Sequence, residues 1–169
     1  MIRRTCFMLS LLCAAPVAAQ SPQACAGPEY RGFDYWLGEW SVTDPAGQVV
    51  GSNIITSVSG GCAVLESWTD ARGRTGTSLN WYDPSSERWT QLWVGEGGMI
   101  LHLEGGIVNG AMEMTADGKA ANGTPVRNRL RWTPLEGGKV RQHWEMSTDG
   151  GATWQTSFDG TYTRTSSSN

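Results

Sequence analysis

Histidine is scarce in this chain, with two in 169 residues, His102 and His143. Neither lies in a His-Glu-x-x-His stretch, and the chain also lacks Gly-x-Ser-x-Gly, a phosphate-binding loop and a Cys-x-x-Cys pair. Those absences remove the usual sequence signatures of zinc hydrolases, α/β-hydrolases, nucleotide enzymes and thiol oxidoreductases. Past residue 19 no apolar run approaches the roughly 20 residues that a membrane-spanning helix needs. Basic residues are few, 13 against 16 acidic ones, for a formal charge of −3. A nucleic-acid binder is expected to carry a basic patch, and the only local one, Arg127, Arg129 and Arg131, is short. No long stretch keeps a helical period of 3.6 residues, which points away from helical folds.

The N-terminus reads as a secretory leader. Arg3 and Arg4 precede an apolar run from Cys6 to Leu12, and Val17-Ala18-Ala19 offers a small-residue cleavage site. The residues before Cys13 and Cys25 lack the apolar-then-small pattern of a lipid-anchored cysteine. The expected mature chain therefore runs from Gln20 to Asn169, in the periplasm or outside the cell. Losing Arg3 and Arg4, and no acidic residue, takes the formal charge from −3 to −5. Cleavage also removes Cys6 and Cys13. The two cysteines left, Cys25 and Cys62, favour one disulfide in an oxidising compartment, with two free thiols as the alternative. Such a bridge closes a loop of roughly 37 residues and contributes about 4 kcal/mol in the chain-entropy picture.

What the chain has in quantity is glycine, 22 residues, and tryptophan, nine residues between Trp36 and Trp154. Glycine-rich turn signals separate short β-type runs, read as strands at 39–43, 48–58, 62–69, 74–83, 88–95, 98–105, 107–116, 125–134, 139–147 and 153–164. Short connections between ten neighbouring strands predict an all-β antiparallel meander. Closure into an up-and-down barrel removes its two edges, and a β-sandwich is the alternative. The expected organisation is a leader at 1–19, a disulfide-tethered segment at 20–32, one barrel domain at 33–164 and a polar tail at 165–169. Residues 117–125 read as a mobile loop.

Turn chemistry predicts register. With Glu136-Gly137-Gly138 as a three-residue loop, Trp132 faces Gln142 and Leu130 faces Trp144, while Arg131 meets His143 and Arg129 meets Glu145. One face is apolar and the other charged. The turn at Asp149-Gly150-Gly151 then places Trp154, Phe158 and Tyr162 on the same inner face. Asn109-Gly110 closes another hairpin that pairs Ile107 with Met112, so that Leu101, Leu103, Met112 and Met114 point inward. His102 and His143 both fall on the outer face, which disfavours a histidine metal site or histidine-dependent hydrolysis. No metal-ligand set is predicted.

Candidate chemistry lies where polar residues interrupt apolar strand faces, because a buried polar group is costly without a partner. Gln142 stands between Val140 and Trp144, Gln91 between Trp89 and Trp93, and Glu66 between Val64 and Trp68. Asn80, Asn128 and Tyr162 are weaker additions. A few convergent polar groups among Trp89, Trp93, Trp132, Trp144 and Trp154 describe a small-molecule site; the alternative is that these groups satisfy one another or meet water at a barrel mouth. Glu66, the one carboxylate of the set, would gain proton affinity if enclosed and serve as a general acid or base. Tyr82 to Trp89 and Ser147 to Trp154 look like a kelch hairpin and a sialidase Asp-box, but each occurs once. Both read better as hairpins in which an Asp side chain ties the turn.

Phe33-Asp34-Tyr35-Trp36-Leu37-Gly38-Glu39-Trp40, Ser78 to Asp83, Val140 to Glu145 and Phe158 to Tyr162 together resemble exported bacterial domain-of-unknown-function proteins distantly similar to nitrobindins and other calycin barrels. The resemblance implies a ten-stranded barrel with an internal cavity, a short helical plug formed by the first motif, and no assigned activity for most members. Nitrobindins hold haem through a histidine on a late strand. The corresponding stretch here, Thr156 to Arg164, contains none, so haem is not expected and Tyr162 reads as a core residue. The expected function is binding of a small apolar or amphipathic molecule. The alternatives are an enzyme that uses Glu66 on such a molecule, and a ligand-free structural or interaction domain of the cell envelope.

Overall fold

Ten strands account for most of the chain in the computed structural model, which describes residues 24–120 and 122–165. The expected leader, and residues 166–169 of the expected tail, lie outside the described residues. The strands are β1 Gly38–Thr43, β2 Val49–Val58, β3 Ala63–Asp70, β4 Thr75–Asp83, β5 Arg88–Gly95, β6 Ile100–Val108, β7 Ala111–Lys119, β8 Pro125–Pro134, β9 Val140–Ser147 and β10 Gln155–Arg164. Each pairs antiparallel with its neighbours in sequence and β10 returns to β1, so the sheet closes as the up-and-down barrel that the turn spacing predicts. Among the described residues no helix is long and apolar enough to cross a membrane.

The predicted registers hold where a strong turn sets them. Trp132 faces Gln142, Leu130 faces Trp144, Arg131 faces His143 and Ile107 faces Met112. Two boundaries differ from the sequence expectation. In the sequence expectation one strand ends at 105 and the next begins at 107, yet β6 runs on through Gly105 and Gly106 to Val108 and β7 begins at Ala111. A Cβ on Gly105 would stand 1.9 Å from the Glu113 carbonyl, so this glycine marks close strand approach and not a turn. The expected loop at 117–125 is likewise shorter, because β7 continues to Lys119 and Arg127 bonds Asp117 across the pair at 2.9 Å.

A third difference is a register shift in β10. Thr156 pairs with Glu145 but Phe158 pairs with Trp144, which leaves Ser157 as an extra residue. A bulge of one residue inverts the faces of everything before it. Trp154 is thereby turned from the predicted interior to the outside, where the Arg129 guanidinium lies 4.2 Å above its ring. Phe158 and Tyr162, beyond the bulge, point inward as predicted.

The N-terminal segment closes one end of the barrel. After a 3-10 turn at Pro28–Arg31, a second at Asp34–Trp36 carries Phe33 and Trp36 into the core, both fully buried. Phe33 packs against Trp36, Trp89 and Trp132 with ring centroids 4.9, 5.4 and 5.3 Å away. The Tyr35 hydroxyl donates to the Trp132 carbonyl at 2.9 Å and accepts the Met112 N–H at 3.2 Å, tying the turn to β7 and β8. Trp40 Nε1 donates to the Trp36 carbonyl at 2.9 Å. Gly38, between them, has φ +136°, a backbone conformation that a side chain rarely adopts.

Cys25 and Cys62 form a disulfide, the pairing expected from the sequence, with Cα atoms 5.1 Å apart. It joins the plug segment to the start of β3. Replacing both cysteines by serine is expected to lower the unfolding free energy by about 4 kcal/mol, read as a drop in the urea midpoint with the slope of the transition checked for residual structure.

Asp side chains tie the two hairpins that mimic repeat motifs, as expected. Asp83 Oδ1 accepts the Ser85 N–H at 2.8 Å, and Asp149 Oδ1 accepts the Thr153 N–H at 2.9 Å. These bonds hold both carboxyls below the usual Asp range.

Candidate ligand cavity

The plug fills only one half of the barrel. Towards the other end lies an open cavity of about 390 Å³, with walls from Trp68, Trp93, Trp144, Phe158, Leu101 and Leu130 and a floor that includes Glu66, Gln91, Gln142 and Tyr162. Asp70, Arg74, Thr75 and Glu96 stand at its mouth. The rings are laid along the wall by glycines: a Cβ on Gly76 would come within 2.3 Å of Trp93, and one on Gly51 within 2.5 Å of Trp68. On the side of Trp144 the cavity adjoins a depression that Asn128, Met146 and Leu101 line. There β6 and β7 part company, since their pairing covers only Glu104–Val108 with Ala111–Thr115.

The floor is a belt of polar side chains drawn from adjacent strands. Glu66 of β3 accepts from Asn53 of β2 at 2.7 Å and from Ser78 of β4 at 2.6 Å, one bond to each carboxylate oxygen. Ser78 Oγ in turn accepts from Asn80 Nδ2 at 2.9 Å and Gln91 Nε2 at 3.3 Å. On the far wall the Tyr162 hydroxyl donates to Gln142 Oε1. Asn53, Glu66, Ser78, Asn80 and Gln91 are all buried.

The direction of the bonds around Ser78 follows from one anchor. Asn80 Nδ2 donates to the Val64 carbonyl at 3.1 Å, and a carbonyl only accepts, so Asn80 Oδ1 must face Gln91 and take its Nε2 at 2.7 Å. Gln91 Oε1 is then left as a free acceptor on the cavity side among the described residues. Both lone pairs of Ser78 are occupied, so its proton goes to Glu66 Oε2. A proton on Glu66 Oε1 aimed at Asn53 would be accepted if that amide turned its oxygen inward. Asn53 Oδ1 is buried without a hydrogen-bond partner, so turning it sacrifices no bond made by that oxygen.

Burial pushes the Glu66 carboxyl up to about 7, against the lowering effect of the Ser78 and Asn53 hydrogen bonds. Tyr162 is raised well above the ordinary tyrosine range, first by burial and then by the charge of Glu66.

Of the residues singled out in the sequence, the structure brings Glu66, Gln91, Trp93, Gln142, Trp144 and Tyr162 to this cavity. Trp89 and Trp132 point inward but pack in the plug, and Trp89 Nε1 donates to the Glu29 carbonyl at 3.1 Å. Trp154 lies outside. Asn128, at the rim, accepts from Trp144 Nε1 at 2.9 Å and sets that ring. Trp68, Asn53 and Ser78 belong to the site without having been singled out. Trp68 carried a usable signal, standing two residues from Glu66 on the same face.

A haem reading finds no support in these residues: both histidines are on outward-facing positions of their strands, and the Tyr162 hydroxyl is engaged by Gln142 and Asn53. No protein-family model matches the sequence, and no curated protein matches it either. The fold and cavity define the class: a closed ten-stranded antiparallel barrel, plugged at one end and hollow at the other.

Proposed function

We propose that this is an exported binding protein whose barrel takes a small apolar or amphipathic molecule. The observation that carries the reading is the hollow half of the barrel, lined by four aromatic side chains above a polar floor. Its volume falls in the range of small-molecule sites, and a few fixed polar groups in an apolar wall are how such sites orient a ligand. The leader-like N-terminus and the disulfide support export to an oxidising compartment. The resemblance to exported calycin-type barrels supports the same reading.

Native mass spectrometry of the protein purified from its own host is expected to show a retained small molecule. Leu101→Trp, which fills the cavity from β6, is expected to lose it while keeping the far-ultraviolet spectrum of the wild type. No retained mass, together with no response of tryptophan fluorescence to a panel of aromatic and lipid-like compounds, would contradict the proposal.

A second reading is favoured by one feature, the buried Glu66 carboxyl that exchanges its proton near neutrality. Such a group is suited to acid or base work on a bound molecule. Glu66→Gln is then expected to abolish turnover of the retained compound even at concentrations at which the folded variant still binds it.

A further inference from the structure

We infer that the cavity selects a small organic ammonium ion with an aromatic or short aliphatic body, its charged nitrogen seated at Glu66. This inference deepens the ligand-binding reading and rests on it.

Charge is the first observation. The lining holds three carboxylates, Glu66, Asp70 and Glu96, and a single guanidinium, Arg74. Arg74 is already bonded to Asp70 at 2.7 Å, at the mouth and away from the floor. An anion entering the barrel would find no uncommitted cation among the described lining residues. When ionised, Glu66 sits buried with two neutral donors and no ion pair among the described residues, and a buried charge in that condition is destabilising until a countercharge arrives. Each of its oxygens accepts one bond and has a second lone pair to offer.

Donor and acceptor matching is the second observation, independent of charge. Gln91, only 2% exposed, presents Oε1 towards the cavity with no donor among the described residues. Its orientation is dictated from Val64 through Asn80, so it cannot turn to offer Nε2 without breaking that chain. A ligand that brings N–H donors satisfies Glu66 and Gln91 together, and one that brings only acceptors satisfies neither. Tyr162, the titratable group facing Glu66 from β10, holds its proton and directs it to Gln142, so it adds no charge and no competing donor.

The walls are the third observation. Trp68, Trp93 and Trp144 line the space above Glu66, and tryptophan rings bind a cation as well as an apolar body. The rest of the ligand then lies against Leu101, Leu130 and Phe158, towards the opening.

Three probes of one shape separate the possibilities: phenethylammonium, phenethyl alcohol and hydrocinnamate, titrated calorimetrically into the wild-type protein. At about pH 8 the amine is expected to bind about tenfold more tightly than the alcohol, the difference between a charge-assisted and a neutral hydrogen bond, and the acid is expected not to bind. Glu66→Gln is expected to keep alcohol binding and to bring the amine to within about threefold of it. If that variant does not fold, the wild-type ratio of amine to alcohol affinity reads the same group, rising as pH passes through about 7 and collapsing towards one at about pH 5.5. Equal binding of amine and alcohol, or an amine preference untouched by Glu66→Gln and by pH, overturns this inference and leaves the ligand site standing. Failure of all three probes to bind the folded protein removes the inference and counts against the binding reading itself.

Discussion

Wild-type stability is expected to fall by on the order of 3 kcal/mol as pH rises from about 5 to about 8, and Glu66→Gln is expected to abolish that fall. An unfolded chain titrates this carboxyl near 4.5, and the folded one near 7. Between those values the native state holds a proton that unfolding releases, so raising the pH favours unfolding. Below the window both states are protonated, and above it the native protein bears the full cost of a buried charge. The carboxyls that are lowered, Asp70, Asp83, Asp117, Asp149 and Asp159, act on the opposite side, below the ordinary Asp value of 3.8. Glutamine reproduces the protonated state: its carbonyl accepts from Ser78 and its amide donates to Asn53 once that side chain turns Oδ1 inward. Urea unfolding at a series of pH values measures both proteins. A flat wild-type profile would mean that the belt holds the carboxylate ionised as comfortably as water does.

Trp132→Ala is expected to cost about 4 kcal/mol, with a fall in Tm on the order of 10 °C, whereas Trp154→Ala is expected to cost less than about 1 kcal/mol. The two residues look alike in sequence, each a tryptophan on a predicted inner face. Trp132 is fully buried, with its ring 5.3 Å from Phe33 and 5.6 Å from Trp36, and its removal opens a large void at the centre of the plug. Trp154 lies under the Arg129 guanidinium on the outside, where its loss removes one cation–π contact and some screened surface. Comparable costs for the two would place Trp154 in the core and remove the bulge at Ser157.

Those two tryptophans also show how far the sequence could be read. Strand faces were legible because Asn109-Gly110 and Gly137-Gly138 fix the turns, and a period of two then assigns every residue between them. The bulge was not, because Thr156-Ser157-Phe158 contains nothing that marks an extra residue, and the error travels only as far as Trp154. Depth along the barrel was not legible either. Trp89, Gln91 and Trp93 share one face of β5 as expected, yet Trp89 belongs to the plug and Trp93 to the cavity. That division depends on strand tilt and on how far Phe33 and Trp36 reach inside, which no local pattern records. Asn53 and Ser78 escaped notice for a simpler reason. Small polar residues in a Thr- and Ser-rich strand look the same on either face until a charged neighbour singles out one of them.

The tryptophans divide into plug and cavity, and indole N–H resonances report that division residue by residue. Titration with phenethyl alcohol and phenethylammonium, followed by nitrogen–proton correlation spectra, is expected to shift Trp68, Trp93 and Trp144 and to leave Trp36, Trp40 and Trp132 in place. Shifts confined to Trp154 or to the plug, or no shift in any indole while the compounds bind, would contradict it.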